Sequence, residues 1–186
     1  GDEVAALQAA MSAILSREGP EIIREKGEST AARLAFGAHA YSEPFRRLAQ
    51  HPRILGPVRQ LLRDEVYLHQ SRINPKEGFG SGASWDWHQD FPGWYFADGM
   101  PEPRCAMVAV FIDNCTAATS PLLVVPGSQR HGLLDAQLHR DAKGYALYQM
   151  DREDLKALAD TKGIEALIGP AGSVCFCHSN LVHGSA

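Results

Sequence analysis

Apolar residues recur at helical spacing near the start of the chain, at Val4, Leu7, Met11, Ile14 and Leu15, which predicts a helix over residues 3–15. The Gly19-Pro20 pair stops it. Residues 21–40 mix charged and apolar positions with breaks at Gly27 and Gly37, a short helix or strand followed by loop. Ser42 ahead of Glu43-Pro44 predicts an N-cap with proline in the first helical turn. That helix continues through Phe45 to Ala49, and Ile54, Leu55, Val58, Leu61 and Leu62 predict another over residues 52–62. Arg46, Arg47, Arg53, Arg59 and Arg63 form the solvated face of these helices rather than a nucleic-acid patch.

From Glu65 the period shortens towards two. Val66, Leu68, Gln70, Arg72 and Asn74 fall on one face of a predicted strand, and Tyr67, His69, Ser71 and Ile73 on the other. The first set turns polar at its far end. Such a face either lines a binding site, where unpartnered polar groups are costly to bury, or is the exposed face of an antiparallel strand; the pattern leaves both open. Gly78, Gly80 and Gly82 predict a mobile loop, with neither the Gly-Lys-Ser/Thr ending nor the following helix of a phosphate loop.

Further on, Cys105 to Ile112, Leu122 to Val125 and Ser173 to Cys177 are apolar runs of strand length, and Asp98-Gly99 and Pro126-Gly127 are turns. Residues 133–150 form an excursion without clear period, and Asp151 caps a short helix over residues 151–159. Short strands separated by Gly/Pro turns, with no strand–helix–strand rhythm, predict a mainly β core with peripheral α-helices.

The chain has 186 residues, 45% hydrophobic and 22% charged, enough for one domain with a real core. Its expected division is an N-terminal helical part over about residues 1–65 and a core over about residues 66–186. A formal charge of −4 provides no basic field for nucleic acid or an anionic membrane. No apolar run approaches the roughly 20 residues of a membrane span, and the start lacks a signal-peptide pattern, so the expected location is the cytoplasm. Cys105, Cys115, Cys175 and Cys177 are then expected to be free, buried thiols rather than disulfides or a zinc site.

The chemistry concentrates in Trp85-Asp86-Trp87-His88-Gln89-Asp90-Phe91. On a strand, residues two apart share a face, so His88 and Asp90 can offer an imidazole nitrogen and a carboxylate oxygen to one point. His183 lies just past the Ser173–Cys177 run and can supply a third ligand. Two histidines and one carboxylate leave the rest of a metal's coordination sphere open, the arrangement of non-haem Fe(II) oxygenases. A bare His-x-Asp triplet is also found as solvated residues on a strand edge.

Four stretches together carry a family likeness: Tyr67 to Asn74, the run WHQDFPGWYFADGMP over residues 87–101, Leu122 to Gly132 with its Pro126-Gly127-Ser128 turn, and Gly169 through Ser185. They resemble the phytanoyl-CoA dioxygenase family, most closely its ectoine-hydroxylase branch. The resemblance implies a double-stranded β-helix, a jelly-roll of the cupin type. It implies Fe(II) held by the catalytic residues His88, Asp90 and His183, with 2-oxoglutarate and O2 as co-substrates. The implied reaction is hydroxylation of an unactivated C–H bond in a small polar, amino-acid-like or ectoine-like metabolite. Asp90 favours hydroxylation, since related halogenases replace this carboxylate with a small residue.

By motif position the resemblance assigns Gln70 and Trp94 to the substrate pocket, and Arg72, Asn74, Trp85 and Ser185 to the surroundings of 2-oxoglutarate. Trp94 has a core role, and Arg72 a surface role, as alternatives. Cys105 and Met107 stand where ectoine hydroxylases carry small residues, so they join the substrate-binding set and imply an altered pocket. Thr119-Ser120 replaces the family's Asn-Gly. His69, His131, His139 and His178 are not expected ligands. The family's 2-oxoglutarate-binding arginine and closing strand would lie past Ala186, so the expectation is that the chain omits a C-terminal part. The expected partner is a small-molecule substrate, with the protein a monomer or homodimer. A non-catalytic, cupin-like metal- or ligand-binding protein is the competing reading.

Overall fold

The computed structural model describes residues 1–25, 31–76, 84–140 and 146–185. They fall into two compact units. One comprises residues 1–83, 110–114 and 170–174, the other residues 84–109, 115–169 and 175–186.

The first unit opens with helix α1 (Asp2–Leu15), whose Leu7 and Ile14 are buried. Strands β1 (Ile22–Arg24) and β2 (Ala32–Phe36) pair antiparallel, and β3 (Arg72–Ile73) adds to β2 with Ile73 opposite Ala35. Between β2 and β3 lie α2 (Ala38–Tyr41), α3 (Glu43–Ala49) and α4 (Pro52–Leu62). The core is Leu7, Ile14, Ile22, Ala32, Ala35, Ala38, Phe45 and Ile73. Ser42 precedes α3 as expected, although its hydroxyl makes no capping bond. At α4 the cap is His51, whose Nδ1 accepts from the Arg53 N–H at 3.2 Å. Arg46 and Arg47 pair with Glu43, and Arg59 with Glu65, all on the surface.

The long strand expected from Glu65 is shortened to Arg72–Ile73. Tyr67 is 80% exposed, and Leu68, His69, Gln70 and Asn74 are exposed as well. The buried residue is Ile73, which anchors the segment on β2 and sends Arg72 and Asn74 to the other face by strand alternation. The polar row of Gln70, Arg72 and Asn74 is therefore not formed as a continuous strand face. Glycines 78, 80 and 82 lie outside the described residues.

In the second unit six strands form one sheet in the order β7-β8-β4-β11-β6-β9, and β10 (Val174–His178) pairs with β5 (Ala106–Val110). The members of the large sheet are β4 (Trp85–His88), β6 (Leu122–Val124), β7 (Ala136–Arg140), β8 (Ala146–Met150), β9 (Glu165–Leu167) and β11 (His183–Ser185). This is the mainly β architecture with peripheral helices that the strand pattern predicts, in keeping with the jelly-roll that the family resemblance implies. Val125, Met150 and Val182 are buried together, with Trp87, Leu134, Leu155 and Leu158 packed on them; full burial of each such side chain contributes roughly 1.5–3 kcal/mol.

The described residues of 133–140 and 146–150 are more regular than their pattern suggests. They hold the β7–β8 pair, which extends the sheet beyond β4. Gln137, Leu138, His139 and Arg140 of β7 are all exposed, so neither face demanded an apolar repeat. Phe91–Asp98 forms a helix, α5, closed by Gly99 at φ 71°. Helix α6 (Arg152–Lys162) starts as expected, with the Asp151 carboxylate accepting from the Glu153 N–H at 2.7 Å. All four cysteines are free and partly buried. Among the described residues no helix is long and apolar enough to cross a membrane.

Candidate metal centre

Strand pairing brings the third candidate ligand to the first two. His183 on β11 lies directly opposite His88 on β4, with ring centroids 4.2 Å apart. Asp90 follows β4 as the N-terminal boundary of α5. The backbone N–H groups of Asp90 and Phe91 both donate to the Ser179 carbonyl, at 3.1 and 3.2 Å. The three side chains are buried, at 3%, 8% and 3% exposure for His88, Asp90 and His183.

Both imidazoles have a defined orientation. His88 Nδ1 lies 2.6 Å from the Asp86 carbonyl and His183 Nδ1 2.8 Å from the Leu181 carbonyl. A carbonyl only accepts, so each Nδ1 carries the proton and each neutral ring keeps its lone pair on Nε2. Those two Nε2 atoms face the carboxylate of Asp90, at 3.8 Å from Oδ1 for His88 and 3.9 Å from Oδ2 for His183. These separations exceed hydrogen-bond length. One ligand atom from each residue lies within 4.8 Å of the others. Two imidazole lone pairs and a carboxylate meeting in a buried place, with backbone carbonyls fixing the tautomers, fit a divalent transition metal.

The register next to this triad departs from simple alternation. Ser185 pairs with Trp85, two residues past His183 but three before His88, so the β4–β11 ladder contains an irregularity. The extra residue restores Trp85 and Ser185 to the side of the sheet that carries the two histidines. Gly184 sits in the tight approach between them: a Cβ there would lie 3.0 Å from the Trp85 carbonyl oxygen and 3.2 Å from the Trp87 ring.

Trp94 lies one helical turn beyond Asp90 in α5, on the same side of the helix, and is partly buried. Phe91, Tyr95, Phe96 and Tyr148 form an aromatic cluster through successive ring contacts, ending on β8. Cys105 precedes β5 and Met107 lies within it, both partly buried. Burial raises the Cys105 thiol pKa; a Ser179 hydrogen bond opposes this and the Asp90 charge adds to it. Cys177, for which sequence gave no site role, is pushed up to about 11 by burial, then by Cys175 and Asp90. Both thiols thus feel the carboxylate of the triad. Gln70, Arg72 and Asn74 belong to the first unit, with Arg72 in β3.

Two other polar residues escaped the sequence reading. Gln89, between the two ligands of the triplet, is buried and bonded through its amide to three backbone groups on two segments. Ser128 is fully buried, and its Oγ accepts from the Val182 N–H at 2.8 Å, adjacent to His183. The usable signal was position: Gln89 alternates with His88 and Asp90, and Ser128 belongs to the Pro-Gly-Ser turn.

A family model described as phytanoyl-CoA dioxygenase matches residues 1–186. The chain is similar to the L-proline trans-4-hydroxylase of Streptomyces griseoviridis, 35% identical over 99% of this chain and 72% of the relative. It is 39% identical to the ectoine dioxygenase of Bordetella parapertussis over 99% of this chain and 62% of that protein. Among solved structures, EctD from S. alaskensis with 2-oxoglutarate and 5-hydroxyectoine superposes with a TM-score of 0.85 at 37% identity, over 100% of this chain and 62% of the other. The same protein with bound Fe gives a TM-score of 0.84. The chain therefore spans about three-fifths of the ectoine dioxygenases it matches.

Proposed function

This chain belongs to the phytanoyl-CoA dioxygenase family, and we propose that it carries the iron centre of a 2-oxoglutarate-dependent hydroxylase acting on a small polar, amino-acid-like or ectoine-like metabolite. The observation that carries this reading is the convergence of two oriented Nε2 lone pairs on the Asp90 carboxylate. His88, Asp90 and His183 would hold Fe(II). Bound iron, with 2-oxoglutarate and O2, supplies the oxidising power that converts the co-substrate to succinate and CO2 and inserts one oxygen into a C–H bond.

The residues of the chain set the conditions for that chemistry. The carbonyls of Asp86 and Leu181 hold both rings in the ligating tautomer. The low exposure of the triad restricts water and strengthens the field of the carboxylate. With three protein ligands, the rest of the metal's coordination would be left to 2-oxoglutarate and O2. Trp85 and Ser185, paired across the β4–β11 ladder, are candidates for contacting 2-oxoglutarate, a role that the family likeness also assigns to Arg72 and Asn74. Trp94, with Cys105 and Met107, supplies candidate substrate contacts, and Gln70 completes the proposed set. The relatives' activities on proline and ectoine define the substrate class to try first.

The test is incubation of the protein with Fe(II), 2-oxoglutarate, O2 and a panel of amino acids and cyclic zwitterionic solutes. A hydroxylase releases succinate in step with a one-oxygen mass gain in one member of the panel. Metal binding without any succinate release, with or without a panel member, would favour a non-catalytic binding protein.

A further inference from the structure

Gln89 separates the two ligands of the His88-Gln89-Asp90 triplet, yet its amide is engaged away from both. It is 2% exposed. Its Oε1 accepts from the Leu134 N–H at 2.9 Å, and its Nε2 donates to the Gly132 carbonyl at 2.9 Å and to the Asn180 carbonyl at 2.7 Å. Only one orientation of the amide meets one N–H and two carbonyls, so the assignment of oxygen and nitrogen is determined by the partners.

Those partners belong to the two segments that place the remote ligand. Asn180 lies in the turn that leads through Leu181 and Val182 into His183, and Gly132 and Leu134 follow the Ser128–His131 turn. The two segments are also joined to each other, because Ser128 Oγ accepts from the Val182 N–H. The Asp90 and Phe91 N–H groups grip the same His183-proximal turn at Ser179. Gln89 therefore sits where the strand bearing two ligands and the turn delivering the third meet a common brace.

We propose that Gln89 is a positioning residue that sets the affinity and geometry of the metal centre by holding the His88–Asp90 segment against the turn preceding His183. The inference rests on the metal-binding reading above. Loss of this amide leaves the three ligands in place chemically but frees the segments that carry them. Outer partners that orient metal ligands typically cost about 10–100-fold in affinity when removed.

The test is titration with Co(II) alone, whose visible bands report coordination geometry, alongside thermal unfolding. Wild-type protein, Gln89→Met, Ser128→Ala and the exposed control Gln137→Met are compared. The expected result is one Co(II) per wild-type or Gln137→Met chain, about 10–100-fold weaker binding by Gln89→Met with shifted bands, and a smaller weakening in Ser128→Ala. Gln89→Met with wild-type affinity and bands, whatever its melting temperature, overturns the proposal and leaves the metal reading standing. Should Gln89→Met fail to fold, Ser128→Ala decides: weakened affinity supports the brace, and unchanged affinity overturns it. Failure of wild-type protein to take up Co(II) overturns both.

Discussion

His183 sits directly across the β11–β4 pair from His88, the two rings tilted by 52°. The third ligand is thus delivered by sheet register and not by nearness in the chain. A one-residue slip would send it to the opposite face, so whatever holds β11 against β4 also holds the metal centre together.

Gly184 is a tight point of that contact. Gly184→Ala should cost about 1–3 kcal/mol, the usual penalty for overpacking, because its Cβ meets a backbone oxygen and an indole that cannot both retreat. Thermal unfolding should show a melting temperature lower by a few degrees, with weakened metal uptake. An unchanged melting temperature would mean that the strands separate there freely.

Trp94→Ala should retain iron while losing productive hydroxylation. The indole follows Asp90 by one helical turn and is not one of the three candidate ligands, so its removal is aimed at the proposed pocket and leaves the ligand set intact. Misplacing a target carbon by about 1 Å can cost on the order of a hundredfold in rate. Simultaneous assays of succinate and hydroxylated product should therefore show 2-oxoglutarate consumed with little product. Wild-type coupling would remove Trp94 from the substrate site.

Cys177 gives a pH prediction. Its folded-state pKa, pushed up to about 11 from an ordinary 9.0 chiefly by burial, exceeds the unfolded value. Between those values the unfolded chain has already lost the proton that the fold retains, so stability is fully present below about pH 9 and falls as pH rises towards 11. Urea unfolding across that range should show a steeper loss for wild-type protein than for Cys177→Ala. Parallel curves would show that the thiol does not contribute to the alkaline loss.

Much of this was legible because it rests on local spacing. Val4 to Leu15, Pro52 to Leu62 and the Asp151 cap declared their helices through apolar period and end residues. His88, Asp90 and His183 were legible through ligand chemistry and a strand-like run before the last of them. Helix α5 was not recognised, although Asp90 followed by a proline in the first turn was its start signal; an aromatic-rich run with Gly93 conceals helical period. The β7–β8 pair escaped because β7 is exposed on both faces. The segment before β3 misled in the other direction: Tyr67 and Leu68 alternate as strand residues should, yet are exposed. Burial of Gln89 depends on three distant backbone partners, which no local pattern encodes.

That His88, Asp90 and His183 together hold one iron is tested by anaerobic titration with Fe(II) followed by 2-oxoglutarate. Wild-type protein should bind one Fe(II) per chain and, on adding 2-oxoglutarate, show the weak visible charge-transfer band of a chelated iron. His88→Ala, Asp90→Ala and His183→Ala should each lose stoichiometric iron and the band. Stoichiometric iron and a wild-type band in any one of the three variants, or no iron uptake by the wild-type protein, would contradict it.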